Sequence, residues 1–139
     1  MQKKILVDSS IWIDFFKYKK SKPGDILQNL LEEENVATTG IIVAEILYGI
    51  KNAQEKKLVK DYLLALPFFE STREIWISTG DLAQKLSSQG LNIPISDILI
   101  STISIHYNGY IFTSDNHFKS IPGIKSGSLK IKTGSGLNI

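Results

Sequence analysis

Two short apolar runs, Lys4-Ile5-Leu6-Val7 and Tyr110-Ile111-Phe112-Thr113, each lead into an aspartate, Asp8 and Asp115. Runs of this length with no polar alternation read as strands buried on both faces. Between them lie several stretches whose apolar residues recur at helical spacing. Strands alternating with helices predict an α/β sandwich with a mostly parallel central sheet. In such sheets ligands gather at the carboxyl ends of the strands, near the point where strand order reverses. Both aspartates fall at such ends, so the pattern that sets the fold also places two acids where chemistry is expected.

The intervening elements can be assigned in turn. Asp8-Ser9-Ser10 caps a helix carrying Ile11, Trp12, Phe15 and Phe16. A second helix is predicted over Asp25 to Glu34, with Ile26, Leu27, Leu30 and Leu31 as its apolar stripe, and a brief strand near Val36 to Thr38 follows. The hydroxyls of Thr38 and Thr39 are placed to cap the next helix, which carries Glu45 as the one acid in an apolar stretch. Gln54 to Leu66 and Ser71 to Ser88 read as amphipathic helices, with a short strand at Phe68-Phe69 between them. Pro94-Ile95-Ser96-Asp97 opens a helix to about Tyr107, with Ser96 as cap and Asp97 in the first turn, where the helix dipole favours a negative charge. Asn108-Gly109 turns the chain into the second Asp-ended strand. Leu129 to Thr133 is expected as an edge strand and 134–139 as a flexible tail. With no repeat, low-complexity segment or linker, residues 1–139 are expected to form one domain.

Composition removes several kinds of chemistry. The chain has 139 residues, 42% hydrophobic and 22% charged, and no cysteine, which excludes disulfides, thiolate zinc sites and cysteine nucleophiles. The Lys-containing start holds too few apolar residues for a signal peptide, and no apolar run approaches the roughly 20 residues needed to span a bilayer. A cytoplasmic protein without membrane contact is expected. Net charge is only +2, but Lys17, Lys19, Lys20 and Lys22 form one cluster and Lys51, Lys56, Lys57 and Lys60 another, local patches suited to a phosphate backbone.

Asp8, Glu45, Asp97 and Asp115 all lie at the ends of apolar strands or in apolar helices, where an unpaired carboxylate is costly to bury. A shared cation resolves that cost. Four carboxylates without thiolates or a histidine pair make a hard oxygen site suited to Mg²⁺ or Mn²⁺. Ions so held can activate water for attack on a phosphodiester, so hydrolysis of a nucleic-acid backbone is the expected use. Each acid alone has a plainer reading as a cap, a dipole partner, a turn former or a solvated group; the inference rests on four coinciding. An aspartate-nucleophile phosphatase or phosphotransferase is the rival reading, although the second Asp that such enzymes carry two residues on is Ser10 here. A non-catalytic RNA-binding module is the other. Lys132-Thr133-Gly134 lacks a Ser-x-x-Lys partner, and the Gly134-Ser135-Gly136 tail lacks the lysine of a P-loop. His106 reads as a helix end, His117 as part of a turn, and Trp12, Phe15, Phe16, Phe68, Phe69 and Trp76 as core or contact residues.

Four segments resemble the motifs of PIN domains: Ile5-Leu6-Val7-Asp8-Ser9-Ser10-Ile11-Trp12-Ile13-Asp14, Val43-Ala44-Glu45-Ile46-Leu47-Tyr48-Gly49, Ile93-Pro94-Ile95-Ser96-Asp97-Ile98-Leu99-Ile100 and Phe112-Thr113-Ser114-Asp115-Asn116-His117-Phe118. In order, spacing and length the chain is most similar to the VapC toxins of type II toxin–antitoxin pairs. The resemblance implies a magnesium-dependent endoribonuclease, homodimeric, acting on RNA and restrained by a VapB-like antitoxin. It assigns Asp8, Glu45, Asp97 and Asp115 as catalytic, metal-binding acids, with Ser9 and Thr113 as hydroxyls supporting the first and fourth. His117 stands where some relatives have a further acid, which implies one firmly held ion and a second that arrives with substrate.

Overall fold

The computed structural model describes residues 4–17 and 22–124, and beyond them the backbone of 126–127, 130–131 and 137–138. The elements in chain order are β1 (Ile5–Val7), α1 (Ser9–Lys17), α2 (Lys22–Glu32), β2 (Val36–Thr39), α3 (Gly40–Gly49), α4 (Ala53–Leu64), β3 (Phe68–Phe69), α5 (Arg73–Ser88), α6 (Ile95–His106), β4 (Tyr110–Phe112), a 3-10 turn at Asn116–Ser120, and short strands β5 (Ser126–Gly127), β6 (Lys130–Ile131) and β7 (Leu137–Asn138).

β3, β2, β1, β4 and β5 lie side by side in that order, and every pairing is parallel. The chain steps outward from β1 to β2 to β3, then returns to place β4 on the other side of β1. Right-handed crossovers therefore put α1 to α4 on one face of the sheet and α5 with α6 on the other. The helices pack accordingly, α1 on α2 and α3, α3 on α4, and α5 on α6. β1 is at the centre, and Ile5, Leu6 and Val7 are fully buried. Strand order reverses between β1 and β4, so the expected crevice opens beyond Val7 and Phe112.

Register ties the two aspartate-ended strands together. Ile5, Leu6 and Val7 pair with Tyr110, Ile111 and Phe112, and Asp8 N–H continues the ladder to the Phe112 carbonyl at 2.9 Å. Asp8 and Thr113 come next on each strand. At the other end of the pair, a Cβ on Gly109 would meet the Lys4 carbonyl oxygen at 2.9 Å, so the turn has no room for a side chain. Asn108 precedes it with φ 54°, a left-handed conformation that asparagine tolerates.

Several local expectations are corrected. The predicted Thr38 and Thr39 cap is not formed: Thr39 occupies the N-cap position of α3 but makes no side-chain cap bond. Its hydroxyl donates to the Phe69 carbonyl at 2.6 Å instead, because β2 lies buried against β3. Ser96 falls inside α6, and Pro94 takes the cap position without a side-chain bond. The edge strand beside β4 is β5. Lys130–Ile131, from the predicted 129–133 edge strand, pair antiparallel with Leu137–Asn138 in a separate two-stranded sheet. The rest of that segment and of the expected tail lies outside the described residues, as do Lys19 and Lys20. No helix among the described residues is long and apolar enough to cross a membrane.

Candidate active site

Asp8 follows β1 and its carbonyl accepts the first bonds of α1, from Ile11 and Trp12 N–H. Its side chain is almost fully enclosed, yet each oxygen has protein donors. Oδ1 accepts the Ser9 N–H at 2.8 Å, and Oδ2 accepts the hydroxyls of Thr113 at 2.8 Å and Ser10 at 3.3 Å. Thr113 is itself buried, and its oxygen accepts the Asp115 N–H at 2.9 Å. One hydroxyl therefore fixes the acid ending β1 to the backbone of the acid following β4. The Ser10 bond is not legible in the sequence motif; it follows from the first turn of α1 folding back over Asp8.

Glu45 projects from α3 on the same side as Ile42, three residues earlier and fully buried. Its pKa is raised, first by desolvation and then by the charges of Asp8 and Asp97, while a hydrogen bond from the Ser9 side chain opposes the shift. Even so, Oε1 is buried with no hydrogen-bond partner. Asp97, in the first turn of α6, is 9% exposed. Its pKa is also raised, again chiefly by burial, with Asp115 and Asp8 adding repulsion and His117 opposing. Glu45 thus feels Asp8 and Asp97, and Asp97 feels Asp115 and Asp8, so the four acids are linked through Asp97 across one crevice.

Ligand atoms of Asp97, Asp115 and His117 lie within 4.8 Å of one another, and Asp8 and Glu45 are not in that tight group. His117 Nδ1 is 3.2 Å from Asp97 Oδ2 and 3.2 Å from Asp115 Oδ1. Asp115 caps the 3-10 turn by accepting the His117 N–H at 2.9 Å, and this turn swings the imidazole toward α6. His117, which the family resemblance sets where some relatives have a further acid, therefore lies beside Asp97 and Asp115 as well as in the turn expected for it. Of the two predicted supporting hydroxyls, Thr113 reaches Asp8 and Ser9 reaches Glu45.

The residues fit a divalent cation. An oxygen buried without any donor, two carboxylates with raised pKa values and a mainly oxygen donor set all describe a place where added positive charge is stabilised. A separate cleft of about 790 Å³ opens between α1 and α4, lined by Ile13, Phe16, Gly49, Leu58 and Tyr62 among others. Its lining is mainly apolar, with Lys17, Lys51, Asn52 and Glu55 also contributing, whereas the crevice is acidic.

Comparison with known proteins agrees with this architecture. The chain is similar to Ribonuclease VapC2 of Rickettsia felis, 26% identical over 103 residues, covering 70% of this chain and 77% of that protein. Among solved structures it resembles VapBC2 from Rickettsia felis bound to a promoter DNA fragment (TM-score 0.76, 22% identity, 89% of this chain and 97% of that one). It also resembles DNA-bound VapBC from Salmonella typhimurium (TM-score 0.77, 21% identity, 92% and 98%). At these identities the structural likeness speaks for the fold. The sequence pattern of the PIN domain matches residues 5–124, which holds all four acids and the whole described sheet except β5, and the chain belongs to the PIN-domain family.

Proposed function

We propose that the chain is a metal-dependent endoribonuclease and serves as the toxin of a toxin–antitoxin pair. The observation that carries this reading is the convergence of Asp8, Glu45, Asp97 and Asp115 at the switch point of a PIN-domain sheet, with Glu45 Oε1 buried and unpartnered. Asp8, Glu45, Asp97 and Asp115 would hold Mg²⁺ or Mn²⁺, and the bound cation would lower the pKa of water and stabilise charge on the phosphodiester. Asp8 is held rigid for this by Thr113, Ser10 and the Ser9 N–H. Asp115 is oriented by its own capping bond. Exposed Lys51, Lys56, Lys57 and Lys60 on and beside α4 would attract the RNA backbone.

The partner reading has its own support. The structural relatives are toxin–antitoxin complexes, and the cleft between α1 and α4 offers Phe16, Leu58 and Tyr62 to an amphipathic segment of an antitoxin. Exposed Trp76 and Ile77 on α5 and Ile95 and Ile105 on α6 supply apolar surface for a second copy of the chain, which supports a homodimer.

The test is cleavage of total RNA by purified protein with Mg²⁺, with Mn²⁺ and with excess EDTA, beside an Asp8→Asn protein prepared identically. Discrete fragments that need the cation and the aspartate are expected. Cleavage retained by Asp8→Asn, or in EDTA, would overturn the proposed site.

A further inference from the structure

His117 is the one nitrogen donor among the acids of the crevice, and its placement is specific. Its side chain is about half exposed, so nothing in the core forces the ring inward. The ring nonetheless sets Nδ1 at 3.2 Å from oxygens of both Asp97 and Asp115, residues brought in by different elements. A single N–H donates well to one oxygen, not two. Two equal separations do match neighbouring ligands of one ion, since octahedral bonds of about 2.1 Å leave adjacent ligand atoms about 3.0 Å apart. The Asp115 cap on the His117 N–H fixes the backbone that delivers the ring.

We infer that His117 contributes Nδ1 as a ligand to the cation shared with Asp97 and Asp115, and so tilts this site toward Mn²⁺ over Mg²⁺. The inference rests on the metal-centre reading above. An all-carboxylate site suits Mg²⁺, which dehydrates reluctantly and favours oxygen. Replacing one oxygen by imidazole moves preference toward transition-metal dications, for which nitrogen is a better donor.

The chain has only two histidines. His106 ends α6, nine residues beyond Asp97, which puts it about 13 Å away along the helix axis. An imidazole signal at the metal can therefore be assigned with one substitution. The experiment uses tag-free full-length protein loaded with Mn²⁺, with pulsed EPR to detect nitrogen coupled to the ion and calorimetry to measure Mn²⁺ and Mg²⁺ affinities. His117→Ala and His117→Asp remove the nitrogen, the second keeping a ligand-type side chain, and Asp97→Asn reports whether the ion sits at this centre. The expected result is nitrogen coupling in the wild type that disappears in both His117 variants, with the ratio of Mn²⁺ to Mg²⁺ affinity falling about tenfold or more. Mn²⁺ bound in an Asp97-dependent way without nitrogen coupling would overturn the role of His117 and leave the metal centre standing. No Asp97-dependent Mn²⁺ binding would overturn both.

Discussion

The strand side and the helix side of the crevice are built on opposite principles. On the strand side, Asp8 is enclosed but every oxygen has donors from Ser9, Ser10 and Thr113, and Asp115 accepts the N–H of its own turn. On the helix side, Glu45 keeps an oxygen with no partner, and both it and Asp97 have pKa values raised by burial and by neighbouring charge. A carboxylate that the protein satisfies is a positioned tool. One left unsatisfied is a place where the fold has given up stability, and added positive charge would recover it. In the proposed metal centre, the strand wall would set geometry and the helix wall would supply the affinity for a cation.

The largest effect expected from breaking this division is on catalysis. Loss of an outer partner of a metal ligand commonly costs 10–100-fold, so Asp8→Asn or Asp97→Asn is expected to reduce RNA cleavage by more than about 100-fold, measured as initial rates on a defined RNA. Next is Thr113→Val, which deletes the donor to Asp8 and the acceptor of the Asp115 N–H at a buried position. Leaving such groups unpaired costs about 1–3 kcal/mol. At this chain length about 4 °C accompanies each kcal/mol, so melting should fall by roughly 4–12 °C in calorimetry. An unchanged melting temperature would show that the strand wall is not held by this hydroxyl.

Glu45→Gln should act in the opposite direction. Removing one of the mutually repelling charges is expected to raise the melting temperature in EDTA by a few degrees, while shrinking the rise produced by Mg²⁺ or Mn²⁺. A lowered melting temperature in EDTA would contradict the contrast between the walls. The pH dependence sharpens the same point. Because the folded-state pKa values of Glu45 and Asp97 are raised, their contribution to metal-free stability is present below the ordinary carboxylate range and is lost as pH rises through the raised values. Cations compete with those protons, so the cation-induced melting shift should grow over that same window. Melting curves across pH, with and without Mn²⁺, check both slopes. The smallest effect is assigned to Ser10→Ala: its 3.3 Å bond comes from an exposed side chain, and a loss under about 1 kcal/mol is expected in denaturant unfolding.

The strands β1 and β4, and the placing of Asp8 and Asp115 just past their ends, were legible because each depends on local pattern, an apolar run and the acid that follows it. The α/β order and the five longer helices from α2 to α6 follow from the same periodicity, with boundaries displaced by two or three residues at most. What escaped depends on contacts between distant segments. Thr39 looks like a cap in sequence, but the Phe69 carbonyl thirty residues away captures its hydroxyl. β5 is two residues, Ser126–Gly127, with no period to read and weak strand propensity. The position of His117 was marked by the resemblance, but its contact with Asp97, twenty residues away in the chain, depends on the turn capped by Asp115.

The bond from Thr113 to Asp8 spans 105 residues. Contacts of such long separation carry the loop-closure cost of everything between them. For a chain proposed to cut RNA, this has a bearing on its own synthesis. While the ribosome is still extending the polypeptide, Asp8 and Asp115 stay apart until β4 has emerged and docked beside β1. A growing chain, or one truncated before β4, would lack the proposed cutting centre altogether, and danger to the cell would begin only once β4 had docked beside β1.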